Sequence, residues 1–122
     1  MADFFTNSDY VKELSPSDFD DINSAYLKDD SCYLVMFYCD WCGFCKQMKD
    51  RLNDVGKKAG FCTVAGFNCN TNPDHAEKIK HDMPNLIHGY PTIIIYKNHE
   101  PEEEYVGDRS EKDIIKTLMR IV

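Results

Sequence analysis

The chain has no run of 18 or more apolar residues, so it offers no helix able to span a bilayer. Its first residues, Met1-Ala2-Asp3-Phe4-Phe5-Thr6-Asn7, lack the basic start and the apolar length of a secretory leader. The last four, Met119-Arg120-Ile121-Val122, are not a retention tetrapeptide. The expectation from these absences is a cytoplasmic protein, with an oxidising compartment open only if a leader was removed before Met1. Positive charge is also scarce: 14 Lys and Arg stand against 21 Asp and Glu, for a net charge of −7. Nucleic acid and anionic membrane surfaces are poor partners for such a chain. Internal repeats and low-complexity tracts are missing as well, so the chain is not a repeat array.

What is present is enough for one domain, residues 1–122, with 1–9 as a loose lead-in. At 43% hydrophobic and 29% charged, 122 residues can bury an ordinary core. The densest acidic tract, Glu100-Pro101-Glu102-Glu103-Glu104, reads as a solvated turn, with a docking site for a basic partner as the lesser reading. Nothing in the composition fixes an oligomeric state.

The chain organises around Trp41-Cys42-Gly43-Phe44-Cys45-Lys46. Before it, Cys32 to Tyr38 is apolar throughout, as a central strand buried on both faces would be. After it, Lys46 to Lys57 reads as a helix with Cys45, Met48, Leu52 and Val55 on one face and Gly56 or Gly60 at its end. Cys42 is thus placed where a strand gives way to a helix. The unpaired N–H groups and positive dipole end there favour a thiolate. Cys45, one turn on, faces the core and can close a disulfide with Cys42, and Lys46 adds a cation close by.

The remaining elements are read from periodicity and turn residues. Tyr10 to Leu14 reads as a first strand, and Ser15-Pro16-Ser17-Asp18 as a helix start, with Phe19, Ile22, Ala25 and Tyr26 at helical spacing. Phe61 to Asn68 reads as a strand, Asp74 to His81 as a short helix on Ala76 and Ile79, and Thr92 to Tyr96 as the most emphatic strand. A turn at 97–101 leads to an edge strand at 103–106. Ser110 caps a last helix whose stripe is Ile114, Ile115, Leu118, Met119 and Val122. The order is β-α-β-α-β-α-β-β-α, with strands one to three parallel and the last two an antiparallel hairpin.

That order, Trp41-Cys42-Gly43-Phe44-Cys45-Lys46 and Gly89-Tyr90-Pro91-Thr92 together resemble the thioredoxin superfamily, both thioredoxin and the catalytic (a-type) domains of protein disulfide isomerase. The resemblance covers about residues 10 to 122. It implies an α/β thioredoxin fold: a mixed sheet of parallel strands plus a C-terminal antiparallel hairpin, with helices on both faces. It implies a thiol–disulfide oxidoreductase in which Cys42 attacks and Cys45 resolves the mixed disulfide. Its partners would be protein disulfide or dithiol substrates and a redox partner protein, and its only redox group the Cys42–Cys45 disulfide. Pro91 would be cis and lie against the dithiol, with Tyr90 offering its backbone to an extended substrate beside Trp41. Gly43 and Phe44, between the cysteines, would tune the redox poise. His88 matches a position where isomerase domains often carry a base, and otherwise reads as a solvated loop histidine. Arg109 matches an arginine able to swing toward the second cysteine, and otherwise reads as a surface residue near a helix start. A second class of function stays open, a binding module whose dithiol traps or regulates a partner with little turnover.

Three positions depart from the family pattern. Met36 stands where a buried acid is usual, and Gly66 where its lysine partner is usual, so both halves of a buried charge pair are missing. Without that acid, exchange should be slower or rely on Arg109, His88 or water. Asp50 replaces a helix-kinking proline, which predicts a straighter helix.

Six cysteines occur in all, at 32, 39, 42, 45, 62 and 69. Cys39-x2-Cys42-x2-Cys45 overlaps the start of an iron–sulfur signature, but Lys49 and Asp50 stand where a fourth cysteine and proline would come next, so no metal is expected within one chain. A metal shared by two chains through Cys42 and Cys45 would need a dimer. Cys39 and Cys69 are either a second redox pair or small buried hydrophobes. Cys32 and Cys62, at the opposite strand ends, could approach each other, but free thiols are expected.

Overall fold

The structure, a computed structural model, describes residues 3–121. Five strands form one sheet: β1 (Lys12–Glu13), β2 (Tyr33–Tyr38), β3 (Thr63–Asn68), β4 (Thr92–Lys97) and β5 (Glu100–Glu104), in spatial order β1-β3-β2-β4-β5. β1 and β2 both run parallel to β3, while β4 is antiparallel to β2 and β5 to β4. Three helices cover it: α1 (Gly43–Lys58), α2 (Pro73–Asp82) and α3 (Glu111–Ile121). The expected mixed sheet with a C-terminal hairpin and helices on both faces is therefore what the chain forms.

β2 is central, and each of its six residues is buried. Its side chains alternate between two cores, as strand geometry requires. Leu34, Met36 and Tyr38 face α1 and α3, and Tyr33, Val35 and Phe37 face the α2 side. α1 buries Cys45, Met48, Leu52 and Val55, the face that the sequence pattern identifies. α2 buries Ala76 and Ile79 in the same way.

Several expectations about element bounds fail for local reasons. The helix expected from Ser15 to Tyr26 is only a 3₁₀ turn, Pro16–Asp18. Asp20 draws the backbone N–H groups of Ile22 and Asn23 onto its carboxylate at 3.0 and 2.8 Å, which removes donors that a helix needs. Phe19 then bridges Leu27 in an antiparallel contact, and Ile22 ends up 86% exposed. Within the described part of the lead-in, residues 4–7 form a turn that buries Phe5 in the core beside Tyr38. Neither candidate glycine ends α1. Ala59 caps it, and Gly56 lies inside it where any Cβ would strike the Tyr10 carbonyl oxygen. The helix is continuous across Asp50.

Phe61 precedes β3 rather than starting it and is half exposed. Cys32 and Cys62 are not the free thiols expected but form a disulfide, because the parallel pairing of β2 and β3 brings their Cα atoms to 4.8 Å. The acidic tract is not a turn but strand β5 itself. The turn is Asn98-His99, both at positive φ (53° and 74°), the conformation of a tight hairpin whose twist matches its strands. Edge acids on β5 are answered from outside by His88 on Glu104 at 2.7 Å and Arg120 on Glu103 at 2.8 Å. In α3, Ile114 and Leu118 are buried but Met119 is exposed, one step off the stripe. Val122 lies outside the described residues.

Candidate active site

β2 ends at Tyr38, and the chain then turns through Cys39-Asp40-Trp41-Cys42 into α1. The turn is closed by the Cys42 N–H donating to the Cys39 carbonyl at 3.3 Å. It is also held from the side by Asp40, a buried carboxylate. Asn68 donates to one of its oxygens at 2.7 Å and Asn70 to the other at 3.0 Å. The side-chain oxygen of Asn68 in turn receives the backbone N–H groups of Asn70 and Thr71. Sequence reasoning misses this polar clamp between the ends of β2 and β3. The signal available for it is one acid before Trp41 and three amides within 68–72, too common a pattern to read alone.

Cys42 is the N-cap of α1 in fact as well as in register. Its sulfur receives the Cys45 N–H at 3.2 Å, one of the helix donors that otherwise has no partner. Its thiol donates to the Tyr90 carbonyl at 3.4 Å. The Tyr90–Pro91 peptide is cis, and that hydrogen bond sets the loop before β4 against the first cysteine. Trp41 is 71% exposed and meets the Tyr90 ring edge to face at 6.2 Å. Phe44 is 64% exposed. A Cβ at Gly43 would meet nothing within 4 Å, so the surface at Gly43 is open, while Cys42 itself is buried at 6% exposure.

Cys45 is fully buried beneath Cys42. Burial pushes its thiol well above the ordinary range, and the adjacent Cys42 sulfur adds to the rise. Cys39 and Cys69 are also buried free thiols, and Cys42 and Cys45 are free as well. Burial raises the Cys39 thiol, and that of Cys69 to about 11, against hydrogen bonding from Tyr90 that works the other way. Among the described residues, no group of three or more His, Cys, Asp or Glu side chains converges as a metal site would.

The other positions singled out in the sequence are elsewhere. Lys46 is exposed, and its N–H bonds the Cys42 carbonyl at 3.2 Å. The His88 ring is engaged by Glu104 on β5. Arg109 is exposed in the loop before α3, where its carbonyl takes the Arg51 guanidinium. Met36 is buried opposite Gly66 on the neighbouring strand. Gly66 leaves no cavity, because a Cβ there would come within 2.6 Å of the Phe5 ring and 3.1 Å of Tyr38. Phe5 thus fills the space that a longer side chain would take.

One carboxylate does face this region, on β1. Glu13 pairs in register with Gly66 and receives the Tyr38 hydroxyl at 2.6 Å and the Phe5 N–H at 3.1 Å. Its other oxygen is buried with no hydrogen-bond partner, and burial lifts its pKa from 4.5 to about 7. The family pattern directs attention to an acid on β2 and away from this one, two strands over.

A strand–turn–helix with a dithiol at the helix start and a cis-proline loop against it can now be set beside known proteins. The Thioredoxin family model matches residues 10–120. The chain belongs to the thioredoxin family. It is 34% identical over 118 residues to human protein disulfide-isomerase A6, covering 94% of this chain and 24% of that protein. It is 30% identical over 95 residues to yeast protein disulfide-isomerase MPD1, covering 77% of this chain and 28% of that one. The Drosophila melanogaster protein disulfide-isomerase A6 homolog is 30% identical over 121 residues, or 98% of this chain and 26% of its own length. The chain therefore spans about a quarter of these relatives. A crystal structure of the J-Trx1 fragment of ERdj5 superposes with a TM-score of 0.77 at 18% identity, over 96% of this chain and 52% of the fragment. That likeness concerns the fold alone.

Proposed function

We propose that the chain is a thiol–disulfide oxidoreductase that exchanges disulfides with protein substrates through Cys42-Gly43-Phe44-Cys45. The position of Cys42 carries this reading: its sulfur caps α1, receives the Cys45 N–H and touches the Tyr90 carbonyl. A sulfur anion formed there would keep the N–H bond and gain from the helix end. Cys42 attacks a substrate disulfide, and one substrate sulfur leaves as a thiolate. Cys45 then attacks Cys42, closing the Cys42–Cys45 disulfide and releasing the second substrate sulfur. A partner dithiol restores the reduced pair, and in the opposite direction the same steps oxidise a substrate. The disulfide is the redox group, with no separate cofactor.

Tyr90 and Pro91 supply a backbone edge for an extended substrate segment, flanked by the exposed Trp41 and Phe44. Gly43 keeps the approach to Cys42 open, and Lys46 adds positive charge one turn into the helix. With His88 on Glu104 and Arg109 exposed in its loop, modulation by either would require movement from the positions they hold. The Cys32–Cys62 disulfide supports work in an oxidising compartment, where such bonds persist, and weighs against the cytoplasmic expectation.

The test is reduction of a disulfide-bonded protein with dithiol recycling. Turnover that Cys42→Ser lacks supports the proposal, and equal rates for both overturn it. One observation favours a second reading, a binding module that holds partners as mixed disulfides. Cys45 is fully buried, which disfavours the thiolate that has to resolve, so a captured partner would stay bound longer. A stoichiometric burst with no subsequent turnover would select that reading.

A further inference from the structure

Cys42 has a cysteine three residues away on both sides. Cys45 comes after it inside α1, and Cys39 precedes it at the far corner of the turn. All three are buried in one core cluster. The Cys42 N–H to Cys39 carbonyl bond makes residues 39–42 a hydrogen-bonded β-turn. Turn ends lie less than about 7 Å apart at Cα, which overlaps the span that a disulfide bridges. The Asp40 clamp holds this turn to β3, so Cys39 is presented to Cys42 by a fixed segment. Nothing in the two-cysteine scheme uses Cys39.

We propose that Cys39 is a second resolving thiol, able to displace a substrate from Cys42 when Cys45 does not. This rests on the reading of Cys42 as the attacking cysteine. The step starts from the mixed disulfide on Cys42. Cys39 gives its proton to water, and its sulfur attacks the Cys42 sulfur. The Cys39–Cys42 bond forms, the Cys42–substrate bond breaks, and the substrate sulfur leaves as a thiolate that is protonated from water. Overall, two protein thiols become one disulfide and one substrate disulfide becomes two thiols. Cys45 can later attack Cys42, free Cys39 and leave the Cys42–Cys45 pair. The arrangement gives the mixed disulfide two exits, one on each side of the attacking sulfur.

Ellman's reagent distinguishes the exits, because attack by Cys42 releases one thionitrobenzoate and resolution releases a second. The reduced full chain is compared with Cys45→Ala and with Cys39→Ala/Cys45→Ala, alanine being chosen because both sites are buried. Should Cys45→Ala fail to fold by circular dichroism, Cys45→Val takes its place in both. The expectation is two releases for Cys45→Ala, the second slowed about tenfold against the parent chain, and one for the double variant. Peptide mapping of oxidised Cys45→Ala then recovers a Cys39–Cys42 disulfide. One release from both variants, or two from both, overturns the role of Cys39 and leaves the proposed function standing. No release from the double variant removes Cys42 as the attacking thiol, and the proposed function falls with it.

Discussion

The two ends of the central strand pair treat cysteine in opposite ways. At the start of β2 and β3, Cys32 and Cys62 lie 4.8 Å apart at Cα and are joined as a disulfide. At the finish of the same two strands, Cys39, Cys42, Cys45 and Cys69 are all free. The strands run parallel and in register, so the difference does not come from the sheet. It comes from the local backbone at each end. Cys32 and Cys62 are fixed by the backbone pair Thr63 N–H to Cys32 carbonyl at 2.9 Å, with no helix start nearby. Cys42 sits on a helix N-terminus, where exchange is favoured over permanence. One end holds the βαβ unit shut, and the other carries the free thiols on which the proposed exchange turns.

The largest effect expected separates the ends by chemistry. Cys42→Ser should lower protein-disulfide reduction by about 10³-fold or more. Its urea midpoint should move little, because serine retains a cap acceptor. Reduction assays with parallel unfolding curves test both parts. Loss of stability matching the loss of activity would mean that the thiol end is structural as well.

The converse experiment acts on the bonded end. That bond closes a segment with a sequence separation of 30 residues. Cys32→Ser/Cys62→Ser should therefore lose about 3.5 kcal/mol on unfolding by the loop-entropy relation. Thionitrobenzoate release by Cys42 under native conditions should be retained. If urea unfolding places the double variant within about 1 kcal/mol of the parent, the bond is not the staple that its position indicates.

These two ends are unequally legible in the sequence. The motif, the strand before it and the buried face of α1 are readable from pattern, because helix and strand periods place side chains directly. The disulfide is not. The approach of Cys32 and Cys62 at matching strand ends is readable, but the bond depends on β2 and β3 sharing a register that neither strand states alone. The segment 16–26 misleads for a different reason: its apolar spacing suits a helix, but Asp20 captures its backbone N–H groups first. Glu13 is hidden in the same way as the disulfide, since only the pairing of β1 with β3 brings it opposite Gly66.

The thiol end can next be strained from beneath. Replacing Gly66 with alanine puts a methyl group onto the Phe5 ring, which must shift along with Tyr38. The expected loss is about 2 kcal/mol, in the range of an overpacked core. Lysine at 66 is a poorer choice still, so restoring the family's charge pair there would need Phe5 to give way first. Met36→Glu alone tests whether an acid behind Cys45 speeds resolution, by timing the second thionitrobenzoate release. An unchanged rate would show that proton removal from Cys45 does not limit the step.

The smallest expected effect concerns Glu13, which sits at the thiol end and not at the bonded one. Its folded pKa is raised to about 7 from an ordinary 4.5 by burial. Between those values the folded chain keeps a proton that the unfolded chain has lost. Stability is therefore greatest below about pH 4.5, so far as Glu13 alone is concerned, and falls as pH rises through about 7. Allowing for screening by the water that still reaches the group, the loss should be about 1.5 kcal/mol. Glu13→Gln removes the charge while keeping an acceptor for the Tyr38 hydroxyl, so its stability should not show this decline. Urea midpoints of the two proteins from pH 5 to pH 8, each fitted separately, give the comparison. A parent curve that runs parallel to that of Glu13→Gln would mean that the carboxylate is already ionised at the lower pH. The Tyr38 contact would then be an ordinary charged hydrogen bond. A parent curve that falls while the variant stays level would locate a proton at the thiol end, held one strand beyond Gly66 on an acid bonded to Tyr38.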